Sequence, residues 1–137
     1  MRSGRRMALE TVEDIEALAD GWMEMADALH RRILRGLLAG QLDQAAAQDH
    51  FRQESALRQQ ADALYADAVA FLVKGLALEQ GDLLGVIHQA EEKIQSLADL
   101  RSVMAVLGDA LILAAAVVAG EPAPIVAAVQ GLRADLG

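Results

Sequence analysis

Apolar residues recur along this chain at steps of three and four. The clearest run is Ile15, Leu18, Trp22, Met25 and Leu29, continued by Ile33 and Leu37, the single stripe that an amphipathic helix turns toward a core. Thr11-Val12-Glu13-Asp14 heads the run as a capping box with Asp in the place of Glu. Acids (Glu13, Asp14, Glu16, Asp20) gather early and arginines (Arg31, Arg32, Arg35) late, the polarity that a helix macrodipole favours. Gly40 is a natural stop. The spacing predicts a first helix from Thr11 to about Gly40.

A second helix is predicted from Leu42 or Asp43 to about Leu78, on the stripe Leu57, Ala61, Leu64, Ala68 and Phe71, with Gly81 as its stop and Asp82 as the next cap. The third stripe is longer: Ile87, Ala90, Ile94, Leu97, Leu100, Met104, Leu107 and Leu111. No breaker interrupts it before Gly120, so it predicts one helix from about Leu83, roughly 55 Å long at the helical rise. Glu121-Pro122-Ala123-Pro124 then turns the chain, with Pro124 at the first position of a short fourth helix carrying Ile125, Val129, Leu132 and Leu136. β-branched runs with strict alternation are absent. The expected fold is all-α: an antiparallel up-down helical bundle of three long helices plus a short C-terminal fourth, since short links join antiparallel neighbours.

The segment Val103 to Gly120 holds a single ionisable residue, Asp109. At roughly 27 Å it falls just short of a hydrocarbon core of about 30 Å, and Asp109 inside a membrane would cost about 2.5–3.5 kcal/mol. The outward stripe of the third predicted helix reads Glu92, Gln95, Asp99, Ser102, then Val106, Asp109, Leu113, Ala116. It turns apolar where the fourth helix folds back, with residues 125–136 alongside 108–119. On this reading Asp109 lies on the side of the fourth helix, near an edge that water reaches.

Composition adds limits. The chain has 137 residues, no cysteine and a formal charge of −8. Disulfides, thiol catalysis and Cys-ligated zinc are excluded, and an acidic body is a poor partner for nucleic acid. Residues 1–10 are expected to be a flexible basic leader ahead of a single bundle domain, 11–137. MALETVEDIE, from Met7, reads as a natural start; without the three arginines before it the charge is −11, from −8 minus 3. The leader lacks the apolar stretch of a signal peptide, so a cytoplasmic location is expected. The excess of arginine over lysine fits a GC-rich bacterial genome.

Catalytic signatures such as a Walker A loop, HExxH or GxSxG are missing, and Ser3, Ser55, Ser96 and Ser102 have no base partner in sequence. The reading is non-enzymatic, with no catalytic residue and no cofactor. Hairpin register brings His30 level with His50, and Glu54 shares the core-stripe side of its helix with His50. His30, His50 and Glu54 are therefore the candidates if the bundle binds a metal, although a polar, solvated bundle end is the simpler reading. The function expected is protein binding, as an adaptor, inhibitor, immunity or chaperone-like bundle. Its partner is another protein or a second copy of the chain in a homo-oligomer. Contact would be made through the acidic face of the first helix (Glu13, Glu16, Asp20, Glu24) or through the apolar C-terminal hairpin (Val106, Asp109, Leu113, Val126). The alternatives are a membrane-active protein that inserts the 103–136 hairpin and a His/carboxylate metal-binding bundle.

Overall fold

A computed structural model of the chain describes residues 7–96 and 99–137. It is all-helical, with five α-helices: α1 (Val12–Leu38), α2 (Gln44–Ala66), α3 (Gln80–Ser96), α4 (Leu100–Ala119) and α5 (Pro122–Leu136), and a 3-10 turn at Ala68–Phe71 after α2. α1 begins where its cap signal lies. The Asp14 backbone N–H donates to Thr11 Oγ1 at 3.1 Å, and Asp14 Oδ2 accepts from the backbone N–H groups of Thr11 and Glu10 at 3.3 and 3.2 Å. These bonds satisfy donors that the first helical turn leaves unpaired. Ile15, Leu18, Trp22, Met25, Leu29 and Ile33 have no exposed surface, so the whole stripe forms the centre of the core. Each such large side chain contributes about 1.5–3 kcal/mol of apolar burial. α1 packs on both α2 and α3, and α5 packs chiefly on α4.

Two predicted helices differ from expectation: the second is shorter and the third divides, so among the described residues the count is five helices and not four. α2 stops at Ala66; the 3-10 turn follows, and Gly75 adopts φ +72°. Beyond Phe71 the apolar residues leave the helical period, and Val73 and Leu76 are buried from a non-helical segment. That segment has a partner which local sequence does not reveal. Ala8 N–H donates to the Leu78 carbonyl at 2.7 Å, Val73 N–H to the Leu9 carbonyl at 2.9 Å, and Met7 and Glu79 form an isolated antiparallel bridge. Leu9 N–H donates to Gln80 Oε1 at 3.1 Å, and Gln80 Nε2 reaches the Asp14 carbonyl at 3.2 Å. Residues 7–9, expected to end a flexible leader, are thus docked in the fold; residues 1–6 lie outside the described residues.

The second correction concerns the third predicted helix, which divides between Ser96 and Leu100. Asp99 caps α4, accepting from Arg101 N–H at 3.0 Å and from the Ser102 hydroxyl at 3.3 Å. The apolar stripe runs through the break without a change of step, which is why periodicity alone misses it. Gly120, at φ +74°, ends α4, and its N–H donates to the Ala116 and Val117 carbonyls. Pro122, not Pro124, opens α5. α5 packs on α4; Val106 and Leu113 are buried, and Asp135 of α5 meets Asp109 of α4.

Candidate functional site: an acidic groove between α1 and α3

Glu13, Glu16, Asp20 and Glu24 are all exposed on α1. Their spacing of three and four residues places them on one side of the helix. The inner edge of that side is close to α3, because Gly21 admits it: a Cβ at Gly21 would lie 2.9 Å from Ile87 Cγ2. Beside this contact runs a groove of about 240 Å³, with Ala17, Leu84 and Ile87 in its lining and Asp20, Glu24 and Glu91 supplying carboxylates. His88 stands at the same groove, 3.7 Å from Glu91 and 3.6 Å from Glu92. Apolar surface beneath several acids suits a ligand that presents both an apolar face and cations.

The acidic field registers on Tyr65 of α2. Its hydroxyl donates to Asp20, and its pKa is pushed up to about 12, by burial first, then by the bond to Asp20 and by the charges of Asp20, Asp62 and Glu16. Asp20 is therefore held in place from α2 while it lines the groove toward α3. Neither Tyr65 nor Glu91 is visible in a search for motifs, because each joins the site through helix packing.

The metal candidates separate. His30 Nδ1 lies 2.8 Å from Glu54 Oε1, whereas His50 Nδ1 lies 3.3 Å from Gln53 Oε1 on its own helix. His30 is level with Phe51, their ring centroids 5.3 Å apart, and Glu54 is one turn further along α2 than the register predicted for His50. Glu54 is otherwise engaged: Arg58 Nε donates to its Oε2 at 2.9 Å, and Arg58 also pairs with Asp27 of α1 at 2.9 Å. Among the described residues no group of three or more His, Asp or Glu is arranged to hold a metal ion. The cluster is a polar clamp between α1 and α2. The Glu54–Arg58 spacing of four is legible in sequence; the link from Arg58 to Asp27 is not. Glu54→Gln is expected to cost about 1–2 kcal/mol, below the full value of two charged hydrogen bonds because His30 and Arg58 are partly hydrated. Urea unfolding of the wild type and the variant measures it.

The hairpin candidates divide as well. Val106 and Leu113 are buried and unavailable to a partner in this arrangement, Asp109 and Val126 are half-buried, and the exposed large apolar residues of α4 are instead Ile112 and Val118. Among the described residues α4 is one helix long and apolar enough to cross a membrane by length and composition, but 44% of that stretch is buried inside the protein. Among the described residues, fold and surface define an all-helical protein of five α-helices with an acidic groove. No protein-family model, no curated protein and no solved structure matches the chain.

Proposed function

We propose that this is a cytoplasmic, non-enzymatic protein-binding bundle, and that its recognition surface is the acidic side of α1 together with the α1–α3 groove. The observation that carries this reading is the pairing of Asp20, Glu24 and Glu91 with an apolar lining in one groove. A short amphipathic helix with cationic flanks is the partner chemistry it fits, with apolar contact supplying affinity and the acids supplying orientation and on-rate. The net charge of −8 extends the attraction beyond the groove. The short connections between α1 and α2 and between α4 and α5 support an antiparallel up-down order of the bundle.

Titration of isotope-labelled protein with a synthetic Lys/Leu amphipathic helix tests the proposal. Amide shifts are expected to concentrate on α1 and α3 around Gly21 and Ile87. Replacing Glu16, Asp20 and Glu24 together with lysine is expected to weaken binding at least tenfold. Reversing Asp49 and Glu121, exposed acids away from the groove, serves as the charge control and is expected to weaken it less than threefold. Shifts spread evenly over the acidic surface, or equal losses from both sets of variants, would overturn the reading.

A second reading, self-association through α4, is favoured by one observation: Ile112 is 60% and Val118 42% exposed on a helix whose only charged residues are Arg101 and Asp109. Light scattering across a concentration series tests it, with Ile112→Lys expected to shift any dimer to monomer.

A further inference from the structure

The junction of α3, α4 and α5 contains an unusual pairing. Asp109, half-buried on α4, has its Oδ2 shielded from water with no donor to satisfy it. The polar group that meets it is another carboxyl, Asp135, on the last turn of α5. Two ionised carboxylates only accept, so a hydrogen bond between them exists only while one carries a proton. A small cavity of about 270 Å³ adjoins Asp135, lined also by Lys93 of α3 and by Ser102, Ala105 and Val106 of α4. Lys93 is the cation that α3 brings to this cavity, on the side of Asp135. Arg133, on the same helix as Asp135, lines with Lys93 the larger cleft next to it. Arg101, the other charged residue of α4, is two turns away, about 12 Å along the axis.

We propose that Asp109 and Asp135 form a proton-operated latch that holds the end of α5 on α4, and that ionisation of the pair loosens α5 and uncovers the α4 face bearing Val106 and Leu113. The site is placed for this. α5 packs chiefly on α4 and less on α3, and Ile125, Val129 and Leu132 are its buried side chains; Asp135 lies at the far end of the helix from the Gly120 turn. The pKa of Asp109 is raised from 3.8 to about 6, by burial first and then by Asp135. A carboxyl whose pKa is raised in the docked state stabilises that state at low pH, and the contribution is lost as pH rises to the docked-state value. Docking of α5 is therefore tightest below about pH 4, weakens from there to about pH 6, and is level above. A rise of that size limits the change in the docking equilibrium to about a hundredfold.

Amide hydrogen exchange across pH 4 to 7.5, corrected for the intrinsic pH dependence of exchange, tests the latch on the full chain. Protection of residues 122–136 is expected to fall by ten- to a hundredfold relative to α1 as the pH rises. Asp109→Asn keeps a donor in the pair at every pH and is expected to hold α5 protection at its low-pH level. Asp135→Asn changes an exposed residue and is expected to do the same, which keeps the test open if the Asp109 variant does not fold. Loss of protection in α5 and α1 in equal proportion would overturn the proposal, as would variants that follow the wild-type profile within twofold. The latch is independent of the acidic groove, since neither carboxyl touches it.

Discussion

Trp22→Ala is expected to lower the free energy of unfolding by about 3–5 kcal/mol, the largest effect of any single substitution in this chain. Trp22 sits midway along α1 with no exposed surface, among Leu18, Ala19, Met25 and Ala26, which are equally buried. Small neighbours on the same helix leave the indole to fill the space between α1 and the helices packed on it, and alanine cannot collapse that space. Domains of this size are stable by about 5–15 kcal/mol, so the loss is a third or more of the total. The ring also carries a cost: Trp22 Nε1 is buried without an acceptor, a deficit of about 1–3 kcal/mol. Trp22→Phe removes that orphan donor with part of the ring, and is expected to cost less than half as much as the alanine variant. Urea unfolding followed by far-UV circular dichroism measures both, since the chain has no second tryptophan to report by fluorescence. A loss under 1 kcal/mol for Trp22→Ala would show that the centre of the core lies elsewhere.

The second large effect belongs to Leu9, ahead of the first helix. Leu9→Ala is expected to cost about 2–5 kcal/mol, whereas Leu38→Ala, at 89% exposure, is expected to stay within about 0.5 kcal/mol of the wild type. Leu9 has no exposed surface and a left-handed backbone, φ +65°, which a bulky residue adopts only at a cost. Three contacts compensate: its N–H reaches Gln80, its carbonyl accepts from Val73, and its side chain fills the core beside the 72–79 segment. Alanine retains the backbone cost and loses the packing. Exchange of the Val73 amide, whose acceptor is Leu9, is expected to accelerate more than exchange of the α4 amides. Equal stabilities for the Leu9 and Leu38 variants would show that residues 7–9 rest on the fold without supporting it.

Leu9 also marks where sequence reading reaches its limit. α1 is fully legible because its cap, stripe, charge polarity and stop all lie within the helix itself. The packing of α5 on α4 is legible for a similar reason, since a Gly-Glu-Pro turn separates them; the meeting of Asp135 with Asp109 is not. The break before α4 has a local signal too, Asp99 followed by Ser102, but a continuous apolar stripe outweighs it. The end of α2 has almost none. Whether residues 67–79 continue the helix or leave it depends on Met7, Ala8 and Leu9, some seventy residues away, which offer hydrogen bonds the helix does not need.

The same division holds at the surface. The acids of α1 can be assigned to one face from spacing, and all four are exposed. Their conversion into a groove required Glu91 and Ile87 of α3 and the absence of a side chain at Gly21. The His30–Glu54 pair and the divergence of His50 turned on an offset of one to four residues along α2, smaller than a hairpin estimate resolves. What the sequence by itself determined is the class of fold, the inward face of each helix and the acidic character of the exterior, because these follow from the period and polarity of neighbouring residues. Tertiary structure alone decided where α2 ends, which polar residues meet across helices, and which apolar face is covered. Those outcomes are contests between distant segments for the same burial and the same hydrogen bonds, and local spacing does not rank the competitors.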